Sequence, residues 1–184
     1  MNENLPSSEM ALKFLFEAGC SESVISHCKA VSALAVKYAR ICKSKGMNVD
    51  INLVKIGALL HDIGRSKTHN VTHAVAGVEI AKSLELPEDL VSIIESHIGG
   101  GISAAEAKKL GLPIKDYFPE TLEEKLVAYA DKRINGSNVV PIEQTIEEFS
   151  KKLGKNHPSV ERITRLHKEL FQLIGDINAK SNNS

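Results

Sequence analysis

Apolar residues recur at spacings of three and four along most of the chain, and no stretch sustains the apolar–polar alternation of a half-buried strand. The pattern predicts an all-α protein. Ser21 can cap a long helix that ends near Gly46 and carries the stripe Val24, Val31, Leu34, Tyr38 and Ile41. Asp50 opens a shorter helix through Leu53, Ile56 and Leu60, which Gly64 is expected to break. Thr72 or Asn70 begins another through Ile80 and Leu84, Pro87 stands in the first turn of the next, and Gly99, Gly100 and Gly101 are expected to end that one. Ser103 with Glu106 and Thr121 with Glu124 have the spacing of capping boxes, the second opening the helix that carries Asp131. Two further helices follow Pro141, to about Leu153, and Pro158, through Ile163, Leu166, Leu170 and Ile174. The polar tail from Ala179 is expected to fray.

With 184 residues, 42% of them hydrophobic, the chain fits one globular domain and not a disordered or fibrous one. The 23 basic and 23 acidic residues cancel, which argues against nucleic acid as a bulk electrostatic partner. Cys20, Cys28 and Cys42 form no C-x-x-C pair and read as reduced helix residues. No run of 18 apolar residues occurs, and Met1 to Met10 lacks the basic and apolar parts of a signal peptide, so a cytoplasmic protein without membrane contact is expected.

Chemistry enters with the histidines. Four of the seven, His27, His61, His73 and His97, fall on or beside apolar stripes, and Asp131 stands four residues after Val127 and three before Ile134. A buried carboxylate needs a cation or a proton. His61 and Asp62 are adjacent, about 100° apart if both are helical, and converge only where the helix ends. The intervals of 34, 11, 24 and 34 residues that separate His27, the His61-Asp62 pair, His73, His97 and Asp131 are unlike a zinc finger. Imidazoles and carboxylates gathered from separate helices suit a borderline divalent metal at the heart of a bundle.

The ordered set His27, His61-Asp62 and Asp131 resembles the H…HD…D signature of the HD-domain superfamily of metal-dependent phosphohydrolases, and HDIGR, His61 to Arg65, resembles its HDIG subgroup. The resemblance covers roughly Ser21 to Ile134. It implies an HD-domain helical bundle with a five-helix core over about 21–134 and additional C-terminal helices over 141–178, the whole of 1–184 forming one domain. It also implies two divalent ions, of iron, manganese, nickel, cobalt or zinc: Asp62 bridges them, His27, His61 and Asp131 complete one sphere, and His73 and His97 hold the second. One departure is that Ile98, and not a second histidine, follows His97, which leaves the second ion less fully ligated.

Such a cationic centre suits a phosphoryl group, with a metal-activated water as nucleophile. The expected activity is hydrolysis of a nucleotide or other small phosphoester, as a phosphomonoesterase or phosphodiesterase. Arg65, and behind it Lys67, are the expected phosphate contacts, and Arg65 is expected to act independently of metal binding. Loop residue His69 is either an exposed histidine or a proton donor to a leaving group. Lys132 and Arg133 read as surface or supporting groups, His157 as a turn residue, and His167 as a packing residue. The stretch from Ser103 to Glu120, with Tyr117 and Phe118, is the expected seat of specificity. Two alternatives stay open, a di-iron oxygenase like myo-inositol oxygenase and a non-enzymatic ligand-binding module, as does oligomerisation.

Overall fold

The computed structural model describes residues 5–175, and the tail from Ala179 lies outside the described residues. Among these residues the expected all-α architecture is what is found: nine α-helices, α1 Ser8–Ala18, α2 Glu22–Ser44, α3 Ile51–Leu60, α4 His73–Ser83, α5 Glu88–Ser96, α6 Ala104–Leu110, α7 Leu122–Lys132, α8 Ile142–Leu153 and α9 Pro158–Ile174. A 3-10 turn, Ile63–Ser66, follows α3, and a two-stranded ribbon, β1 Ile134–Asn135 with β2 Asn138–Val139, follows α7. None of the described helices is long and apolar enough to cross a membrane.

Local capping explains most boundaries. The Ser21 hydroxyl accepts from the Val24 amide at 3.4 Å, and Asp50 accepts from the amides of Asn52 and Leu53. Ser103 and Glu106 form the full reciprocal box. Thr121 caps α7 as expected, but the Glu124 carboxylate reaches one residue further back, to the Glu120 amide, and also accepts from Ser96 of α5. Helix α1 and the ribbon are not foreshadowed by the periodicity. The Ser7 hydroxyl accepts from the Met10 amide, and α1 buries Ala11 and Leu15 against α3 and the 3-10 turn.

The core forms where α2 lies along α3 and α7, with α5 closing the other side of α3. Tyr38 and Tyr129 stack obliquely, ring centres 5.6 Å apart, within the same buried cluster as Ile56, Leu60 and Leu126. Each such aliphatic side chain contributes about 1.5–3 kcal/mol on burial. Cys28 and Cys42 are buried in α2, whereas Cys20, expected on a helix, sits in the α1–α2 link with its thiol on the Ile63 carbonyl.

Gly64 does not break a helix. Helix α3 has ended at Leu60, and the 3-10 turn runs through Gly64. What the position needs is the absence of a side chain, because a Cβ there would overlap the His73 carbonyl and lie 2.5 Å from the Gly77 amide nitrogen. The turn after the His61-Asp62 pair therefore packs backbone to backbone on the start of α4. The triple glycine likewise follows the end of α5, which stops at Ser96, and all three residues have positive φ.

Candidate metal centre

The structure brings the four inward histidines and both aspartates into one cluster. His27 projects from the first turns of α2, His61 and Asp62 occupy the two positions after α3, His73 begins α4, His97 follows the last residue of α5, and Asp131 lies near the end of α7. Helix ends are where the chain can turn two adjacent side chains inward. Asp62, with φ −102° and ψ 16°, has left helical geometry, which lets it converge with His61.

Asp62 divides the cluster in two. Its Oδ2 lies 3.8 Å from His27 Nε2 and 3.6 Å from His61 Nε2. Asp131 Oδ1 closes that group, 3.0 Å from His27 Nε2 and 3.6 Å from His61 Nε2. On the other side Asp62 Oδ1 lies 3.2 Å from His73 Nε2 and 3.4 Å from His97 Nε2, and those two nitrogens approach to 2.9 Å. Two overlapping sets, His27–His61–Asp131 and His61–Asp62–His97, have ligand atoms mutually within 4.8 Å.

Each imidazole is oriented from behind by a backbone carbonyl. His61 Nδ1 donates to Ala58, His73 Nδ1 to Asn70 and His97 Nδ1 to Ile94, each at 2.7 Å, and His27 Nδ1 donates to Gly136 at 2.9 Å. A carbonyl only accepts, so Nδ1 carries the proton and the neutral ring presents a bare Nε2 lone pair to the centre. Four lone pairs and two carboxylates then face one another with nothing neutral to join them. His61 Nε2 and Asp62 Oδ1 are buried without a hydrogen-bond partner. Orphaned acceptors of this kind fit a divalent cation with nitrogen and oxygen ligands.

The electrostatics agree. Burial opposes the charge on Asp62, but the imidazoles of His61, His73 and His97 hold its pKa well below the usual carboxylate range. Burial opposes the charge on Asp131 too, and Lys132, His27 and His61 outweigh it in the same way. Burial also works against a charge on His61, yet Asp62, Cys28 and Asp131 raise its pKa well above that of free imidazole. For His97 burial prevails, helped by His61 and His73 against the pull of Asp62, and its pKa falls to about 4. The two carboxylates thus demand positive charge among the rings, which either a proton or a metal ion satisfies.

A cleft of about 450 Å³ opens over the cluster and is lined by His27, Asp62 and Asp131 together with Arg65, His69 and Lys132. Arg65 is not independent of the ligands, as its sequence position suggests, because its Nε donates to Asp62 Oδ2 at 2.5 Å. Lys67 is exposed and does not line the cleft, since two steps along a 3-10 turn carry it away from Arg65. Lys132 is buried, its ammonium on Asp131 Oδ2, and so it supports a ligand directly. His69 stands exposed at the cleft with its carbonyl near Arg65 Nη1.

The stretch from Ser103 to Glu120 contributes nothing to the lining of this cleft. Tyr117 is buried with its hydroxyl on the Pro113 carbonyl, and Phe118 packs under Arg162. The outer wall comes instead from Ser23 at the start of α2, Asn135 and Gly136 of the ribbon, and Thr145, Glu148 and Phe149 of α8. Periodicity gives no warning of this, because the turn that sends α8 back over Asp131 is a four-residue ribbon. Its one legible signal is the Gly136-Ser137 pair, a two-residue loop with glycine first at positive φ, which favours a tight hairpin turn. His157 caps α9 through its ring, and His167 packs between Tyr129 and Phe171, consistent with structural roles.

The family model of the HD domain matches residues 24–136, and the chain belongs to that family. An uncharacterized protein of Methanocaldococcus jannaschii is 53% identical over 155 residues, 84% of this chain and 92% of that one. The tRNA (cytidine(56)-2'-O)-methyltransferase of Thermoplasma volcanium is 43% identical over 171 residues, 93% of this chain but 48% of the methyltransferase, so the chain spans about half the length of that relative. A Ribonuclease Y of Syntrophomonas wolfei is 32% identical over 142 residues, 76% of this chain and 23% of the ribonuclease. Among solved structures, the HD domain of the L. monocytogenes phosphodiesterase PgpH in complex with cyclic-di-AMP aligns with a TM-score of 0.52 at 18% identity, covering 91% of this chain and 98% of that one. At that identity the likeness is one of fold.

Proposed function

We propose that the chain is a metal-dependent phosphohydrolase acting on a nucleotide phosphoester, with two divalent ions shared by Asp62. The observation that carries the reading is the divided Asp62 carboxylate, each oxygen facing its own pair of oriented imidazoles. In this reading His27, His61, Asp131 and Asp62 would hold one ion, and His73, His97 and Asp62 the other. Divalent ions held there would supply Lewis acidity toward water and toward phosphoryl oxygens.

The protein's own groups do the rest. The four carbonyls fix ring orientation, so that no reorganisation is needed when charge develops at the phosphorus. Arg65 anchors Asp62 through Nε and rests Nη1 on the His69 carbonyl, which leaves Nη2 for a substrate oxygen, while Lys132 holds Asp131. The wall of ribbon and α8 orients the organic part of the substrate. A nucleotide is favoured because the methyltransferase and ribonuclease relatives are named for RNA chemistry and the PgpH domain was solved with a cyclic dinucleotide.

Elemental analysis of protein purified without chelator, followed by turnover assays on phosphomonoesters, phosphodiesters and dinucleotides with manganese, iron, nickel or cobalt, tests the reading. Turnover that requires metal and vanishes in Asp62→Ala is expected. Less than about half an ion per chain after reconstitution, or a ligand held unchanged in the presence of manganese, would overturn it.

A further inference from the structure

The face of α7 turned away from Asp131 borders a second cleft. Tyr129 and Arg133 are one helical turn apart and about 200° from Asp131 around the axis, so they look out on the other side. There a cleft of about 340 Å³ is lined by Tyr38, Tyr129, Arg133, Glu143, His167 and Phe171, none of which serves the metal centre.

Its chemistry is unusually one-sided. Tyr38 is only 1% exposed, yet its hydroxyl has no hydrogen-bond partner among the described residues. Burial pushes the phenol pKa up, so the group stays a donor. Arg133 spends its Nε on the Val140 carbonyl at 2.6 Å, and its terminal amino groups make no hydrogen bond or ion pair among the described residues. Unspent donors beside a fixed guanidinium suit an anion rich in acceptor oxygens, such as a phosphate. The opposite lining is aromatic: His167 stacks on Tyr129 with ring centres 5.8 Å apart, held by a 2.8 Å hydrogen bond between Nδ1 and the phenol, and Phe171 tilts against it at 5.6 Å while remaining 46% exposed. A planar ring has a surface to lie on there. Glu143, exposed at the rim, supplies the one acidic group, an acceptor suited to the amino edge of a base and not to a phosphate.

We propose that this cleft is a second ligand site, which takes a mononucleotide with its phosphate on Arg133 and Tyr38 and its base against Phe171 and His167. The site is separate from the metal centre and does not depend on the activity proposed above.

Equilibrium titration of the chelator-stripped full chain with AMP, GMP and ribose 5-phosphate tests it. Saturable binding of one nucleotide per chain is expected, with ribose 5-phosphate at least about tenfold weaker because it has no base to stack. Tyr38→Phe, which removes one oxygen from a packed ring, should weaken binding about tenfold, the loss of a hydrogen bond to a charged group. Phe171→Ala at the partly exposed rim should weaken the nucleotides but not ribose 5-phosphate. Unaltered affinity in both variants, or no saturation below about 5 mM, overturns the proposal. Binding that appears only when residues 176–184 are removed overturns it as well, since the cleft would then belong to the chain's own end.

Discussion

The floor and the wall of the metal cleft are built on opposite principles. The floor gathers side chains from five segments, buried or, for His27 and Asp131, half-buried, each histidine held from behind by a carbonyl three residues earlier or, for His27, by the ribbon. The wall consists mostly of exposed or partly exposed side chains on the ribbon and α8, tied to the floor through the Gly136 carbonyl and through the buried Thr145, whose hydroxyl donates to the Lys132 carbonyl at 2.6 Å. A floor whose rings are oriented by backbone carbonyls sets what reaction is available. A wall of replaceable groups selects who may enter, so mutations in the two regions should have different kinetic signatures.

The largest effect is expected at the shared carboxylate. Asp62→Ala should lower kcat by about a thousandfold or more, because it removes the group common to both halves and leaves buried imidazoles facing a void. Steady-state turnover with metal in excess checks this, and retention of more than a tenth of activity would remove Asp62 from the centre. Next comes Gly64→Ala, which touches no ligand but forces the 3-10 turn off the His73 carbonyl. It should cost roughly 2–4 kcal/mol of stability through overpacking and strain, and should weaken metal retention along with it. Denaturant titration beside metal analysis would show both, whereas a stability change without loss of metal would mean that the turn does not position the ligands.

Arg65 lies at the boundary between floor and wall. Arg65→Ala should cut kcat/KM by roughly 10- to 1000-fold and, because its Nε engages Asp62, should also reduce metal affinity. Arg65→Lys should recover part of the first loss, since a point charge cannot reproduce the fork. An alanine variant with unchanged metal affinity would show that the contact to Asp62 is incidental. The smallest effect belongs to the wall: Phe149→Ala should raise KM for a nucleotide substrate about three- to tenfold with kcat nearly unchanged, the signature of lost uniform binding. A drop in kcat instead would place α8 in the chemistry.

The floor was legible in the sequence and the wall was not, for a physical reason. A histidine on an apolar stripe, such as His73 before Gly77 and Ile80, announces that something inside must satisfy it, and five such anomalies on separate helices can only meet at the centre of a bundle. The wall residues Asn135 and Glu148 are exposed polar side chains and Thr145 is a buried one, and in sequence all three are indistinguishable from solvated surface. Their position depends on a two-residue strand pair whose pairing, Ile134 with Val139, is too short for any periodicity to register. Lys67 shows the converse error, for a cation near the motif in sequence turned away from the cleft, while Lys132, which reads as a surface or supporting group, takes the supporting place, buried on Asp131.

The central claim is that Asp62 joins two ions, and calorimetric titration of chelator-stripped protein with manganese or cobalt tests it most directly. Two ions per chain in the native sequence, one in His97→Ala and none bound tightly in Asp62→Ala is the predicted series. A single ion in the native sequence, unaffected by His97→Ala, would contradict it and leave His73 and His97 as hydrogen-bonded core residues beside a one-metal centre.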